Sequence, residues 1–244
     1  MRRCLGAIAI WFALIVPADA GSLSVLFVGN SFTREHDIPG MVSQITVSTG
    51  GPMLDVTDAS ENGMTLDWHV NEGRALELLS AMDWDVVVLQ DFSDVALVEE
   101  KRLASVAAAR VLGGAAADAG AEVIFFAPWA PRQVPVDRRA EATRQIEAHY
   151  AALAKANGGT VAPVGRMWLQ HLDKDAAAKL RAPDDHHATA SGAYLAAQTI
   201  SLRILEISKA PVRPNIGWSP AAVGHGLAQR LWVLATGASA SLGH

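Results

Sequence analysis

The chain has 244 residues, of which half are hydrophobic and 18% are charged, a balance that suits one globular domain with a sizeable core. The formal net charge is −5, and no block of lysines and arginines is present to neutralise phosphates, which argues against nucleic-acid binding. After the first twenty residues, no apolar run approaches the roughly 20 residues of a membrane-spanning helix.

The first twenty residues have the pattern of a cleavable signal peptide. Two arginines precede an apolar segment over residues 5–16, and small residues end the stretch at Ala20. An uncleaved membrane anchor is the alternative, but the segment is shorter than a bilayer span. Cleavage would remove Cys4, the only cysteine, and would change the formal charge from −5 to −6, because two arginines and one aspartate leave. We therefore expect residues 21–244 to form a single exported domain, periplasmic or secreted.

Hydrophobic runs alternate with amphipathic stretches along the rest of the chain. The predicted strands cover residues 23–28, 54–59, 84–90, 122–127 and 160–164. The predicted helices cover residues 38–47, 66–79, 99–119, 136–157, 194–207 and 220–236, with short helices before Arg181 and a frayed tail after Gly237. This alternation predicts an α/β fold, a three-layer α/β/α sandwich with a flavodoxin-like central parallel sheet of about five strands.

The first predicted strand ends in Gly29-Asn30-Ser31, which puts a serine at the carboxyl end of a buried strand. In an open parallel sheet, ligands bind at this edge and loops present reactive side chains there. Ser31 is therefore a candidate nucleophile, although a serine that follows a strand is also a common helix cap. Glu35 and Asp37 suit the start of the next helix, and we expect them to act as caps rather than in catalysis.

Asp184-Asp185-His186-His187 forms a polar stretch ahead of a predicted helix. An aspartate and a histidine three residues apart lie on the same side of a turn, so the carboxylate can orient one imidazole nitrogen while the other faces a nucleophile. The stretch could instead be a solvated loop or part of a metal site, but the sequence has no second cluster with ligand spacing. Pairing Asp184 with His187 is our prediction, and His186 with either aspartate is the alternative.

Together these segments resemble the four sequence blocks of the SGNH (GDSL-like) hydrolases. Gly29-Asn30-Ser31-Phe32-Thr33 resembles the first block, residues 61–66 resemble the second, and residues 184–187 resemble the D-x-x-H block near the C-terminus. The third block departs from the family, because Leu89-Gln90-Asp91 replaces the usual Gly-x-Asn-Asp. The blocks span residues 25–197, nearly all of the chain that follows the predicted signal peptide.

The resemblance implies a serine ester hydrolase that needs no metal and no cofactor. Ser31 would be the nucleophile, His187 the base and Asp184 the acid that orients the base. The backbone N–H groups of Ser31 and Gly63 would bind the oxyanion of the reaction, and the side-chain amide of Gln90 would be a third donor. The implied substrates are small acyl esters, with acetylated carbohydrates or short-chain lipid esters as candidates.

Trp129 stands at the end of the fourth predicted strand, in the sequence Pro128-Trp129-Ala130-Pro131. It is a candidate wall for an acyl or sugar pocket, and packing at the rim of the sheet is the alternative.

Two other functions fit the same fold. An acyltransferase would use the same residues, and a non-catalytic carbohydrate-binding or envelope-interaction protein would use none of them for chemistry.

Overall fold

The computed structural model describes residues 21–174 and 179–240. The predicted signal peptide, residues 1–20, lies outside these ranges. Residues 175–178, part of the stretch predicted to hold short helices, and residues 241–244 of the predicted frayed tail also lie outside them.

Five strands in the described part of the chain form one parallel sheet in the order β2-β1-β3-β4-β5. The strands are β1 Leu23–Val28, β2 Leu54–Asp58, β3 Val86–Leu89, β4 Glu122–Phe126 and β5 Thr160–Ala162. The predicted flavodoxin-like parallel sheet is therefore confirmed. In this strand order the direction of winding reverses at β1 and β3, and the crevice outside their carboxyl ends is the usual ligand site.

Nine α-helices and two short 3₁₀-helices, Glu35–Asp37 and Val136–Arg138, occupy the described ranges. The α-helices follow in chain order. They are α1 Ser31–Arg34, α2 Ile38–Ser48, α3 Leu66–Glu72, α4 Arg74–Ala81, α5 Glu99–Asp118, α6 Arg139–Ala156, α7 Val164–Lys174, α8 Ala190–Ile207 and α9 His225–Ala240. The helix predicted over 66–79 is two helices, because Gly73 takes a φ of +84° and ends α3. The last strand is shorter than predicted, and α9 continues past Gly237 instead of fraying there.

Alternate residues of the strands belong to two separate cores, one on each side of the sheet. Val25 and Phe27 pack with residues of α2, α7, α8 and α9, whereas Leu26 and Val28 pack with residues of α3, α4, α5 and α6. All four of these strand side chains are fully buried. Burial on both faces explains why β1 reads as an uninterrupted apolar run, and it confirms the three-layer arrangement.

Helix α8 fixes the position of the polar stretch that precedes it. Thr189 caps its N-terminus by accepting a hydrogen bond from the Gly192 N–H at 3.2 Å, and most of the helix is buried against α2, α7 and α9. Residues 184–187 therefore lead into a rigid element.

Among the residues that the structure describes, no helix combines the length and the apolar character needed to cross a membrane.

Candidate active site

The candidate nucleophile is the first residue of a one-turn helix at the end of β1. Asn30 caps this helix, since its Oδ1 accepts the Phe32 N–H at 3.1 Å, and its Nδ2 donates to the Met64 carbonyl at 3.1 Å. Ser31 is 8% exposed, so its hydroxyl lies in a tight recess at the sheet edge. Asn30 thus connects the loop after β1 to the loop after β2, and it does so directly beside Ser31.

The predicted base and its acid lie on the loop before α8. The Oδ1 atom of Asp184 accepts the backbone N–H groups of His186 and His187 at 3.0 and 3.1 Å. Its Oδ2 atom lies 2.6 Å from His187 Nδ1. The two backbone N–H groups and the imidazole hold the pKa of Asp184 well below its usual value, with the His186 N–H contributing most. Asp184 is therefore ionised, and can only accept hydrogen bonds, at neutral pH.

The structure brings Ser31, His187 and Asp184 into one line of hydrogen bonds. His187 Nε2 lies 3.0 Å from Ser31 Oγ, on the far side of the ring from Asp184. Because Asp184 can only accept, the Nδ1–H tautomer of the neutral imidazole is the one that satisfies both partners. That tautomer leaves Nε2 free to accept the proton of the Ser31 hydroxyl, which is the arrangement of a nucleophile activated by a base.

Two arginines hold the loop that carries the base. Asp185 takes a left-handed backbone with a φ of 56°, and both its carboxylate oxygens receive hydrogen bonds from Arg139. Arg181 donates to the Asp185 carbonyl at 3.2 Å and to the Ala130 carbonyl at 2.6 Å. Burial, helped by the nearby charge of Arg139, lowers the pKa of Arg181 to about 10. Sequence reasoning missed both arginines, since Arg139 is 46 residues from its partner.

His186, the alternative base, points away from the line of hydrogen bonds. Its ring packs against Phe32 and Phe92, with centroids 4.8 and 6.3 Å away. Its Nδ1 atom is buried and has no hydrogen-bond partner among the described residues. Burial, followed by the proximity of His187, lowers the pKa of His186 and keeps it neutral. The geometry therefore favours His187 over His186 for the role of base.

Trp129 lies beneath the loop of residues 184–187 rather than at an open surface. Its ring is stacked between Trp168 and Phe32, with centroids 3.8 and 4.5 Å away, and the residue is only 1% exposed. Its indole N–H donates to the His186 carbonyl at 3.0 Å. This position differs from the pocket wall expected from the sequence. The stack instead joins the residue after Ser31 to the backbone beside the base.

The two backbone N–H groups predicted to bind the oxyanion belong to Ser31 and Gly63. The loop that holds Gly63 is tied to the loop after β1 on both sides, by the Glu61 N–H to the Gly29 carbonyl at 3.0 Å and by the Asn30 amide to the Met64 carbonyl. Neither the Ser31 N–H nor the Gly63 N–H donates to an acceptor in the described part of the chain. Gly63 has a φ of +77°, a conformation that other residues adopt only with strain.

Gln90 is fully buried, and its side-chain amide is already engaged. Its Oε1 atom accepts the Asn30 N–H at 3.0 Å and the Thr33 hydroxyl at 2.9 Å, and its Nε2 donates to the Asp91 carbonyl at 2.5 Å. A Cβ at Gly29 would approach the Gln90 oxygen to 2.8 Å, so the glycine makes room for this contact. Gln90 thus supports the loop of residues 29–33 through Asn30 and Thr33, and its role as an oxyanion donor stays a prediction.

Of the two acidic residues after α1 that were expected to cap the next helix, only one does so with its side chain. Asp37 does cap α2, since its Oδ1 accepts the Gly40 N–H at 3.1 Å. Glu35 instead ends α1 as its C-cap, where its backbone N–H donates to the Ser31 carbonyl, and its side chain caps no helix N-terminus. Its Oε1 lies 3.4 Å from His187 Nε2. Within residues 21–174 and 179–240, no three histidine, cysteine, aspartate or glutamate side chains converge in a way that could hold a metal ion.

Comparison with solved structures shows that this fold is the one of the SGNH hydrolases. A protein from Slackia heliotrinireducens assigned to the SGNH hydrolases aligns with a TM-score of 0.63 at 22% identity, over 75% of this chain and 99% of that one. A DUF4886 family protein from Bacteroides uniformis aligns with a TM-score of 0.69 at 16% identity, over 91% and 96%.

A further similar structure is a catalytic mutant of Axe2, an acetylxylan esterase from Geobacillus stearothermophilus. It aligns with a TM-score of 0.58 at 15% identity, over 80% of this chain and 99% of that one. No protein-family model matches the sequence, and no curated protein matches it either. At these identities the likeness shows the fold, and the function has to be argued from the site.

Proposed function

We propose that the protein is a serine ester hydrolase of the SGNH type. The observation that carries this proposal is the line of hydrogen bonds from Asp184 through His187 to Ser31, with N–H···O or O–H···N distances of 2.6 and 3.0 Å. It stands at the switch point of the sheet, where this fold binds ligands. The backbone N–H groups of Ser31 and Gly63 have no acceptor among the described residues. These groups support the proposal because each can take one role in acyl transfer: acid, base, nucleophile or oxyanion donor.

The proposed reaction proceeds through an acyl-enzyme. His187 Nε2 accepts the Ser31 proton while Ser31 Oγ bonds to the ester carbonyl carbon, and the oxyanion that forms is held by the N–H groups of Ser31 and Gly63. The imidazolium then passes its proton to the leaving alcohol as the ester C–O bond breaks. Water, activated by His187 in the same way, releases the acid and restores the Ser31 hydroxyl.

Small acyl esters are the proposed substrates, with acetylated carbohydrates and short-chain lipid esters as candidates. Support comes from the recess itself, because Ser31 is 8% exposed and the Trp129 and Trp168 rings fill the space behind the base loop. The acetylxylan esterase among the similar structures has the same fold. Residues 1–20 are proposed to be a signal peptide that directs export, which the N-terminal sequence of the protein recovered from the producing cells would test.

The function is tested by hydrolysis of p-nitrophenyl esters with acyl chains of two to twelve carbons, each assayed with the wild type and with Ser31→Ala. We expect turnover of the shortest esters and loss of nearly all of it in the variant. Equal background rates in both proteins would contradict hydrolysis and favour the binding protein. Acetylated sugar product formed from an added sugar acceptor, in place of free acetate, would instead identify an acyltransferase.

A further inference from the structure

We propose that Glu35 is a positioning residue that acts through His187, by stabilising the imidazole when it carries the second proton. The proposal rests on the function proposed above and assigns to Glu35 a role that its place after the nucleophile helix does not suggest. The observation is a carboxylate oxygen 3.4 Å from His187 Nε2, the same nitrogen that faces the Ser31 hydroxyl at 3.0 Å.

The imidazole of His187 therefore has a carboxylate at each nitrogen. Asp184 takes the Nδ1 side at 2.6 Å, and Glu35 approaches the Nε2 side from the exposed rim, where its side chain is 42% exposed. Ser31 reaches Nε2 from the sheet. Nε2 thus has two neighbours of different kinds, a hydroxyl that can give a proton and a carboxylate that can only accept one.

The effect of Glu35 depends on the protonation state of the ring. In the resting enzyme Nε2 presents a lone pair, so a nearby carboxylate gains no hydrogen bond and repels it. After the Ser31 O–H bond breaks and the Nε2–H bond forms, the ring is an imidazolium with an N–H at each nitrogen, and Glu35 becomes both acceptor and countercharge. At a pH where the resting imidazole is neutral, Glu35 accordingly favours the imidazolium that forms as the Ser31 oxygen bonds to the ester carbon, which is differential stabilisation.

A strained backbone holds Glu35 in this position. His36 and Asp37, which follow it, have φ angles of 60° and 54°, in the left-handed region that residues other than glycine rarely adopt. His36 Nε2 lies 3.1 Å from the Ala188 carbonyl, next to the base, and Asp37 is fixed as the cap of α2. Strain of this kind persists where surrounding contacts over-determine it, and it concentrates at functional sites.

The charged groups around the pair leave the Glu35 carboxylate available. Arg34, its neighbour in sequence, points to Glu61 on the loop that carries Gly63, at 3.5 Å. The other titratable groups near the pair are His36 and Asp37 on its own segment and Asp184 and His186 on the base loop, the His186 ring centroid lying 4.6 Å from that of His187. No arginine or lysine is paired with Glu35 among the described residues, so a protonated His187 is the positive charge that its carboxylate can stabilise.

The test is the pH profile of kcat/KM for p-nitrophenyl acetate in wild type, Glu35→Gln and Asp37→Asn. Glutamine keeps the size of the side chain and removes its charge. We expect the midpoint of the acid limb to move to lower pH by about half a unit to one unit in Glu35→Gln, and the plateau to fall about 2- to 10-fold. Because the pair is partly exposed, the shift should shrink in 0.5 M salt.

The matched control is Asp37→Asn, which alters a neighbouring carboxylate that does not contact His187 and retains a side chain able to cap α2. Its acid limb should coincide with that of wild type. An unchanged profile in Glu35→Gln would overturn the proposal, and so would an equal shift in Asp37→Asn. Equal thermal unfolding midpoints in the three proteins would show that folding is not the cause of any difference.

A second readout separates this proposal from the proposed function. NMR titration of the His187 imidazole in wild type and Glu35→Gln follows the protonation of the ring without any substrate. A lower titration midpoint in the variant supports the contact between Glu35 and His187 even if the wild type hydrolyses no ester. Coincident titration curves would reject the contact even if ester hydrolysis through Ser31 is established.

Discussion

The carboxyl edge of the sheet and the layer between α5 and α6 each bring an aspartate, a histidine and a serine together. At the sheet edge, Ser31, His187 and Asp184 lie in one line of hydrogen bonds, in the order proposed for nucleophile, base and acid. In the helix layer, His149 Nε2 lies 3.2 Å from the Ser105 hydroxyl. The nearby Asp91 carboxylate accepts the backbone N–H groups of Leu66 and Phe92, at 3.1 and 2.7 Å, and no imidazole.

The two clusters differ in order and in access rather than in residue types. In the helix layer Asp91, Ser105 and His149 are 1%, 1% and 8% exposed, and no acid orients the histidine. Burial lowers the pKa of His149 and raises that of Asp91, so at both groups burial favours the neutral form. The three residue types make a catalytic site only when the base lies between the acid and the nucleophile, and when the substrate can reach them.

The largest expected effect comes from replacing His187 by glutamine, and His149→Gln is the matched control. His187→Gln removes the base and should lower kcat/KM for p-nitrophenyl acetate by about 10⁴-fold or more, because the Ser31 proton has no acceptor. His149→Gln keeps a polar group near Ser105 and should change the rate by less than about 3-fold. A comparable loss in the two variants would remove the distinction between the clusters.

The proposed role of the Gly63 N–H is tested by two alanine substitutions that introduce the same backbone strain. Gly63 and Gly224 have φ angles of +77° and +73°, and a Cβ would meet nothing within 4 Å at either position. Each change to alanine should destabilise the fold by about 1 kcal/mol. Only Gly63→Ala should also lower kcat, by about 10- to 100-fold, as its N–H moves from the oxyanion. Equal kcat values in the two variants, with matched thermal midpoints, would contradict this role.

Gln90→Ala should act mainly on stability. The variant leaves the buried Asn30 N–H and Thr33 hydroxyl without their acceptor, so the free energy of unfolding should fall by about 1–3 kcal/mol. Urea unfolding gives this quantity, and Gln90→Glu, which keeps an acceptor, is the comparison. A variant that folds with wild-type stability but loses 100-fold or more in kcat would instead support Gln90 as an oxyanion donor.

The smallest expected effect is a pair of opposite pH dependences in the two clusters. The folded-state pKa of Asp91 is raised by burial, so its contribution to stability is full below about pH 4 and is lost as pH rises through the folded pKa. The folded-state pKa of Asp184 is lowered by the His186 N–H and by His187, so its contribution is present above about pH 4 and is lost as pH falls.

Urea unfolding of Asp91→Asn and Asp184→Asn between pH 3 and pH 7 measures both dependences. Relative to wild type, Asp91→Asn should gain stability as pH rises, whereas Asp184→Asn should lose it. The second change should be small, because the Asp184 side chain is 42% exposed and solvent screens its interactions. Parallel pH dependences in the two variants would contradict the assigned environments.

The parts of this molecule that follow from local pattern were predictable from the sequence. The apolar run of β1 and the D-x-x-H spacing depend on neighbouring residues, so they indicated the sheet and the pair Asp184 and His187. The role of Gln90 was not predictable, because it depends on a contact with Asn30 and Thr33 across two loops. The position of Glu35 was hidden as well, since the left-handed residues after it redirect a segment whose composition reads as a helix start.

The central claim, that His187 activates Ser31, is tested most directly by a fluorophosphonate probe with peptide mass mapping. The probe needs no knowledge of the natural ester, because it reacts with a serine whose proton is withdrawn by a base. We predict a single adduct on the peptide that contains Ser31, and its loss in His187→Gln but not in His149→Gln. Absence of the adduct from folded wild-type protein, or an adduct that persists in His187→Gln, would contradict the account.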